Sequence, residues 1–276
     1  MTLASGKVLR ESVWYFTAIA IGIVFVGPFA IMVGASLQES RTWYSTAWDW
    51  LPTKPTFRNF QLIFSRSRVF QWTLNSLILA TVPVAISTMV ALLAGYIFAR
   101  KNFPGRDLLF WIMLSSIMIP FHVTLVPLYL MMKSINWIDT YAVLIVPGVV
   151  NVTAIFLMRQ FLQTLPPSLE EAAELDGCNP WQIVLHVITP LCKPAVATLA
   201  TVGFISGWNS FLFPLIFTSS DQMRPLTVGL STFSEASSSF GLNMAAATIN
   251  FLPTFLIYLI FQRHFVQGIA LGGMKL

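Results

Sequence analysis

The densest grouping of carboxylates in the chain lies in a polar stretch from residue 165 to residue 190, and its spacing suits ion pairing with a partner. Glu171 follows Ser168 by three residues, which is the spacing of a capping box at a helix start. Acidic side chains are favourable at this positive helix end. The helix is expected to offer a partner acidic and small side chains, namely Glu170, Glu171, Glu174, Asp176, Ala172 and Ala173.

A second short helix is predicted directly after the first. Gly177 can stop the first helix, and Asn179 can cap the second. Pro180 fits the first position of that second helix, and Pro190 is expected to end it. The two helices would form a helix-turn-helix outside the bilayer, within a loop from 160 to 192.

Residue patterns for catalysis, nucleotide binding or metal binding are missing. A phosphate-cradling loop needs Gly-x-x-x-x-Gly-Lys followed by Ser or Thr, whereas Gly273 is followed by Met274 and Lys275. The chain has three histidines, His122, His186 and His264. They lie far apart and lack metal-ligand spacing. The chain is therefore expected to hold no catalytic residue, no metal and no cofactor of its own.

The composition predicts a membrane protein. Hydrophobic residues make up 56% of the 276 positions and charged residues only 10%, whereas soluble domains carry roughly 25% charged residues. The net charge of +5 comes from basic residues scattered between apolar runs, so no nucleic-acid surface is expected. Membrane lipid is the expected surrounding.

Six stretches free of Asp, Glu, Lys and Arg are each long enough to cross a bilayer. The sequence therefore predicts an all-α polytopic membrane protein, with one transmembrane domain over 1–276 and both termini on the same side. The spans are expected at about 13–36, 71–99, 108–132, 139–158, 194–218 and 243–262. The distribution of Lys and Arg leaves the orientation open.

Polar positions recur along the third and sixth predicted spans. His122 and Tyr129 lie seven residues apart, and Asn250 and Thr254 lie one turn apart, so each pair shares a helix face. Polar faces in lipid point inward and could line a translocation path. Hydrogen bonding between helices, without contact to a solute, explains these positions equally well.

The residues Glu171-Ala172-Ala173, Gly177 and Pro190 together resemble the hallmark of the inner-membrane permeases of bacterial ABC importers. That hallmark is Glu-Ala-Ala, three residues, Gly, then nine residues before Ile-x-Leu-Pro. This chain departs from it at Val187 and Thr189. In the family this segment is the coupling helix, which docks into an ATPase subunit. The resemblance implies a type I importer fold with cytoplasmic termini in the bacterial inner membrane.

Further motifs resemble the carbohydrate-uptake branch of that family, in particular the smaller six-helix subunit of the maltose-type importer. They include Phe103-Pro-Gly-Arg106, Ile119 to Tyr129, and Trp208-Asn209, after which Ser210 replaces the usual Asp. The resemblance implies a second homologous permease, two ATPase subunits that use ATP and Mg, and an extracytoplasmic solute-binding protein. It also implies that a tail with Gly273, Met274 and Lys275 contacts the ATPase, and it adds Asn209 to the candidate path residues.

A secondary transporter or channel that works alone is the main alternative, and an intramembrane enzyme is another. Proton-coupled carriers normally place Asp, Glu or His within their spans, whereas these six stretches contain no carboxylate and one histidine. An intramembrane hydrolase would need a paired nucleophile or a metal site. The importer permease is therefore the favoured interpretation.

Overall fold

The computed structural model of the chain describes residues 2–38, 51–52, 54–235 and 239–273, and every regular element in these ranges is helical. The all-α prediction is confirmed. Two 3₁₀ turns, Ser116–Met118 and Val146–Gly148, and a π-helical stretch, Ile183–Ile188, accompany the α-helices. The α-helices are α1 Thr2–Ser36, α2 Arg58–Arg66, α3 Val69–Arg100, α4 Arg106–Ser115, α5 Phe121–Ser134, α6 Tyr141–Ile145, α7 Val152–Gln163, α8 Ser168–Leu175, α9 Pro180–Gln182, α10 Thr189–Leu191, α11 Lys193–Trp208, α12 Leu212–Phe217, α13 Leu226–Glu235 and α14 Phe240–Gly273.

Within the described ranges, the helices that are long and apolar enough to cross a membrane number four, or six if each of two bent pairs forms one span. The first bent pair joins Arg106–Met118 to α5 at 97°, and the second joins Pro180–Leu191 to α11 at 73°. The four continuous candidates are Glu11–Ser36, Val69–Arg100, Tyr141–Gln163 and Phe240–Ile260. Exposed apolar side chains, such as Phe16 and Phe70 at 75% exposure, suit lipid contact.

The predicted stretch 108–132 is not one straight helix, and its break has a local cause. Ile119 precedes Pro120, and steric clash with the proline ring disfavours α geometry at such a position. Ile119 accordingly has φ −81° and ψ 115°, between the 3₁₀ turn and α5. The predicted stretch 194–218 is also divided, because α11 ends at Trp208 and α12 begins at Leu212.

The chain forms two compact units, the first made of residues 1–67 and 230–252. In this unit the side chain of the fully buried Asn59 of α2 donates hydrogen bonds to backbone carbonyl groups at the end of α1 and just after it. Its amide donates to the carbonyl oxygens of Ser36 at 2.9 Å and Gln38 at 2.7 Å. Phe29 of α1 stacks on Phe251 of α14 with ring centroids 4.6 Å apart. The predicted single domain over 1–276 stays a prediction.

Helix α3 is the centre of the second unit, which contains residues 68–229 and 253–276, and it packs against α7 and α11. Glycines allow the close approach. A Cβ at Gly95 would lie 3.0 Å from the Met158 side chain, and a Cβ at Gly207 would lie 3.0 Å from the Ala80 Cα. Gly203 and Gly207 form a Gly-x-x-x-Gly pair on α11, a spacing that lets membrane helices pack closely.

Near its start, α3 holds the loop between α12 and α13 with buried polar side chains. Asn75, with 0% exposure, donates its amide to the carbonyl oxygens of Gln222 at 2.7 Å and Arg224 at 2.8 Å. Its amide oxygen accepts from the Tyr141 hydroxyl at 2.6 Å. The indole of Trp72 donates to the Asp221 carbonyl at 2.9 Å. We call this arrangement the Asn75 clamp.

Candidate functional site

We call residues 160–192 the coupling segment. Its first helix, α8, starts without the expected capping box. The N-cap position is Pro167, and no side-chain capping hydrogen bond is present there. Pro167 already has helical angles, φ −59° and ψ −29°, so Ser168 is the first residue inside the helix. The backbone N–H of Glu171 donates to the Pro167 carbonyl at 3.2 Å. The capping role predicted for Ser168 and Glu171 is therefore wrong.

The predicted stop at Gly177 is confirmed, and it has the hydrogen bonds of a Schellman motif. Gly177 has φ +84°, its N–H donates to the Glu174 carbonyl, and the Cys178 N–H donates to the Ala173 carbonyl, both at 3.0 Å. Glycine adopts this left-handed geometry without strain. The turn fixes the direction in which the chain leaves α8.

A Gly177→Val substitution is expected to destabilise this turn. A left-handed backbone costs an L-residue roughly 1 to 2 kcal/mol, and a β-branched side chain tolerates it least. Space is not the limit, because no atom lies within 4 Å of a Cβ built at Gly177. The purified chain should unfold at a lower temperature. Gly177→Asn is the control, because Asn tolerates this geometry; equal losses in the two variants would contradict the prediction.

The second helix begins as predicted and ends slightly later. Asn179 and Gln182 form a reciprocal capping box, with bonds of 3.0 and 2.8 Å, and Pro180 occupies the first helical turn. The helix continues through the π-helical stretch and past Pro190 to Leu191. Pro190 does not end it because it lies in the first turn of α10, where a missing N–H costs little.

The carboxylates of α8 do not share one outward face. Glu171, Glu174 and Asp176 are exposed, as is Ala172, whereas Ala173 is buried. Glu170 is 9% exposed and turned inward: its Oε1 lies 2.8 Å from the Arg100 Nε, and its Oε2 accepts from the Tyr96 hydroxyl at 3.0 Å. The prediction that Glu170 and Ala173 face a partner is corrected, because both are buried against the rest of the chain. The residue pattern at the start of a helix does not show which of its carboxylates pairs with Arg100, which lies 70 positions earlier in the sequence.

The coupling segment also exposes large apolar side chains that sequence reasoning did not single out. Leu175 is 90% exposed, Trp181 67% and Leu185 59%. A tryptophan next to a helix-starting proline in a polar loop was the available signal. The exposed surface of the segment therefore combines carboxylates with large apolar side chains, which suits a protein partner.

A shared apolar core holds the coupling segment on α3 and α7. Ala173 of α8 and Ile183 and Ile188 of the π-helical stretch belong to one buried cluster. The same cluster contains Tyr96 of α3 and Met158 of α7. The segment is thus packed directly on two candidate spans.

A cavity of about 630 Å³ lies within the second unit, among α3, α7, α11 and the turns beside them. Its polar lining consists of hydroxyl and amide groups, and none of the described lining residues is ionisable. The polar lining residues are Ser87, Thr88, Asn151, Thr153, Ser206 and Ser210. This neutral surface could accommodate an uncharged hydroxylated molecule.

The five candidate path residues do not line this cavity. His122 is exposed, with its ring 6.1 Å from that of Phe121, and Asn209 is exposed and donates to the Ile205 carbonyl. Tyr129 is half-buried against Phe217. The other two, Asn250 and Thr254, are half-buried on α14.

The predicted ATPase-contacting tail lies almost entirely beyond the described residues. Gly273 is the last residue of α14, and Met274 and Lys275 lie outside the described residues. Within the described ranges, no group of three or more His, Cys, Asp or Glu residues could hold a metal ion.

Asp139 fixes the turn between α5 and α6 to the residues after α12. Its carboxylate accepts from the backbone N–H groups of Ser219 at 2.9 Å and Ser220 at 3.1 Å. Partial burial raises the pKa of Asp139, but the hydrogen bonds from Ser220 and Ser219 outweigh it and hold the pKa below its ordinary value. The carboxylate therefore binds its partners in the ionised form.

Stability that depends on Asp139 is expected to be lost only in acid. A lowered folded-state pKa means that the stabilisation is complete above the unfolded pKa near 3.9 and disappears as the pH falls through the folded value. Asp139→Asn should cost roughly 1 kcal/mol at pH 7, and the cost should shrink steadily as the pH falls below about 3.9. Thermal unfolding over a series of pH values measures this, with Asp176→Asn as the surface control. A cost that does not shrink with falling pH would contradict it.

A helical membrane chain with an exposed acidic segment packed on its candidate spans is consistent with a transport subunit, and comparison with known proteins identifies the family. Residues 87–271 match the family model described as binding-protein-dependent transport system inner membrane component. The chain belongs to this family, which confirms the resemblance found in the coupling motif.

Among the relatives is the arabinooligosaccharides transport system permease protein AraQ of Halalkalibacterium halodurans. It is 31% identical over 92% of this chain and 93% of its own length. The sn-glycerol-3-phosphate transport system permease protein UgpE of Yersinia pestis is 30% identical over 91% of this chain and 92% of its own length. A solved bacterial ABC transporter involved in the import of the acidic polysaccharide alginate contains a chain with the same fold. It has a TM-score of 0.81 and 21% identity, and the match covers 95% of this chain and 98% of that one.

Proposed function

We propose that this chain is the transmembrane permease subunit of an ATP-driven ABC importer for a carbohydrate-type solute. It forms the translocation pathway together with a second, homologous permease. Two separate ATPase subunits bind ATP and Mg and supply the energy, and an extracytoplasmic binding protein delivers the solute. Both termini and the coupling segment face the cytoplasm.

The coupling segment is the observation that carries this proposal. Its outer surface presents Glu171, Glu174 and Asp176 beside Trp181, while its inner surface packs on the candidate spans. Such a surface serves a protein partner that pushes on the membrane helices. A secondary transporter or channel that works alone has no use for it, so the importer interpretation is favoured.

The neutral cavity supports an uncharged solute such as a sugar, an oligosaccharide or a polyol. A glycerol phosphate or an acidic sugar would need a compensating cation at membrane depth, and the lining residues in this subunit supply none. The second permease would then have to provide it. Uptake by vesicles that contain the permease pair, the ATPase and the binding protein tests the proposal. ATP-dependent uptake of a sugar supports it, and uptake without the ATPase subunits would overturn it.

Ser206→Phe is expected to obstruct the pathway. The exposed Ser206 lines the cavity, so an aromatic ring there should fill the space and cut solute uptake about ten-fold or more while the stimulated ATPase activity persists. Met89→Phe is the matched control, because Met89 is 64% exposed on α3 and does not line the cavity. Unchanged uptake by Ser206→Phe would remove this cavity from the pathway.

A further inference from the structure

Arg100, at the C-terminal end of α3, contacts two parts of the coupling segment. Its Nε lies 2.8 Å from the Glu170 Oε1, and its Nη2 donates to the Leu165 carbonyl at 2.6 Å. Tyr96, one helical turn earlier, donates its hydroxyl to the other oxygen of Glu170. The last turn of α3 therefore contacts both the chain entering α8 and the first turn of α8.

This joint between α3 and α8 is largely shielded from solvent, whereas the ion pair between Arg106 and Asp107 at the start of α4 is more exposed. The side chains of Arg100 and Glu170 are each 12% exposed, and those of Arg106 and Asp107 are 27% and 66% exposed. The surrounding apolar cluster also stabilises the contact between α3 and α8, but apolar packing is non-directional and does not fix their orientation. The hydrogen bonds from the Tyr96 hydroxyl to Glu170 and from Arg100 to the Leu165 carbonyl are directional, and each involves a charged group. Together with the ion pair they set the angle at which α8 is attached.

Helix α3 leads from this joint to the cavity wall. Ser87 and Thr88 line the cavity and lie 13 and 12 residues before Arg100, which corresponds to about 20 Å along an α-helix. The helix is continuous between them despite Pro83 further along. A displacement of its C-terminal turn is therefore carried to the wall of the cavity.

We propose that Arg100 is a positioning residue that makes α8 and α3 move as one body, so that a displacement of α8 by the ATPase reaches the cavity wall through the Arg100–Glu170 ion pair. This inference rests on the proposed function. Glu171 contacts the ATPase from outside, and Glu170, its neighbour in sequence, transmits the motion inward. Two adjacent carboxylates thus have opposite tasks.

The test uses a readout that a purely structural role would not change. Cys178 and Cys192, the chain's two cysteines, are replaced by Ala, and Ser87→Cys places a thiol in the cavity wall. Its rate of modification by a small thiol reagent is measured in the reconstituted complex without nucleotide and after trapping with ATP and vanadate. Nucleotide is expected to change this rate about five-fold or more.

The double substitution Arg100→Met with Glu170→Leu removes both charges and keeps apolar volume, which a buried pair often tolerates without loss of stability. We expect this variant to bind the ATPase normally but to lose the effect of nucleotide on the Ser87→Cys thiol. The exposed pair offers the matched control, Arg106→Met with Asp107→Asn, which should respond like the unaltered complex.

An unchanged nucleotide response in the double variant would overturn the inference while leaving the proposed function intact. If that variant fails to assemble, Glu170→Gln replaces it, because it keeps the shape and the bond from Tyr96 and removes only the charge. A reduced response with normal ATPase binding then supports the inference, and a normal response overturns it. If the unaltered chain neither binds the ATPase nor responds to nucleotide, the proposed function itself fails.

Discussion

Glu171→Gln is expected to abolish most ATP-driven uptake, because it removes a charge from the surface that meets the ATPase. Glu171 is exposed, and the start of α8 does not use its side chain as a cap. Its carboxylate is therefore available to a basic residue of the partner. Loss of one member of a charge pair that becomes buried in an interface costs roughly 2 to 5 kcal/mol of association.

Reconstituted with its partners, this variant should require a much higher ATPase concentration for assembly and should show weakly coupled hydrolysis. Glu174→Gln makes the same chemical change one turn further along the helix, and it separates a specific contact from a general loss of negative charge. Wild-type uptake and hydrolysis by Glu171→Gln would exclude Glu171 from the interface.

Gly229→Ala is expected to have the largest effect on stability. A Cβ at Gly229 would lie 2.2 Å from the Trp72 ring, which is 3% exposed and has little freedom to move aside. Overpacking of this kind costs typically about 1 to 3 kcal/mol, and displacing the ring would also break the indole bond to Asp221. The temperature of thermal unfolding and the yield of the purified chain should both fall.

Gly27→Ala provides the comparison for Gly229→Ala, because no atom lies within 4 Å of a Cβ built at Gly27. A Trp72→Leu substitution should make Gly229→Ala less harmful, since the clash is with the ring. Equal destabilisation by Gly229→Ala with and without Trp72→Leu would show that the backbone at position 229, and not the indole, is the cause.

The helical class and the coupling motif could be predicted from the sequence because they depend on local features. These features are long stretches without charged residues, and the spacing of Gly177 and Pro190 after the Glu-Ala-Ala motif. The effect of each proline could not be predicted from the sequence. Pro83 lies inside the continuous α3, whereas Pro120 separates two segments at 97°. Both prolines disfavour α geometry at the preceding residue, yet Ile119 leaves the helix whereas Val82 stays inside α3, so this local effect alone does not decide the outcome.

Contacts between residues that are far apart in the sequence could not be predicted either. Glu170 looked like a member of an acidic surface until Arg100 and Tyr96 were placed beside it. The cavity residues Ser87 and Ser206 come from different helices and share no sequence pattern. The Gly203 and Gly207 pair has the Gly-x-x-x-Gly spacing of closely packed membrane helices, a signal in the sequence that the predictions did not use.

The hydrogen bonds of the Asn75 clamp can form only long after Asn75 itself has been synthesised. The amide of Asn75 bonds to carbonyl groups 147 and 149 residues later in the sequence. At about 5 to 20 residues per second, the ribosome supplies those partners roughly 7 to 30 s after Asn75. Helix α3 must therefore enter the membrane with this amide lacking its final acceptors. The earlier spans form an incomplete intermediate during biosynthesis, and the loop before α13 closes this end of α3 only after these later residues have been made.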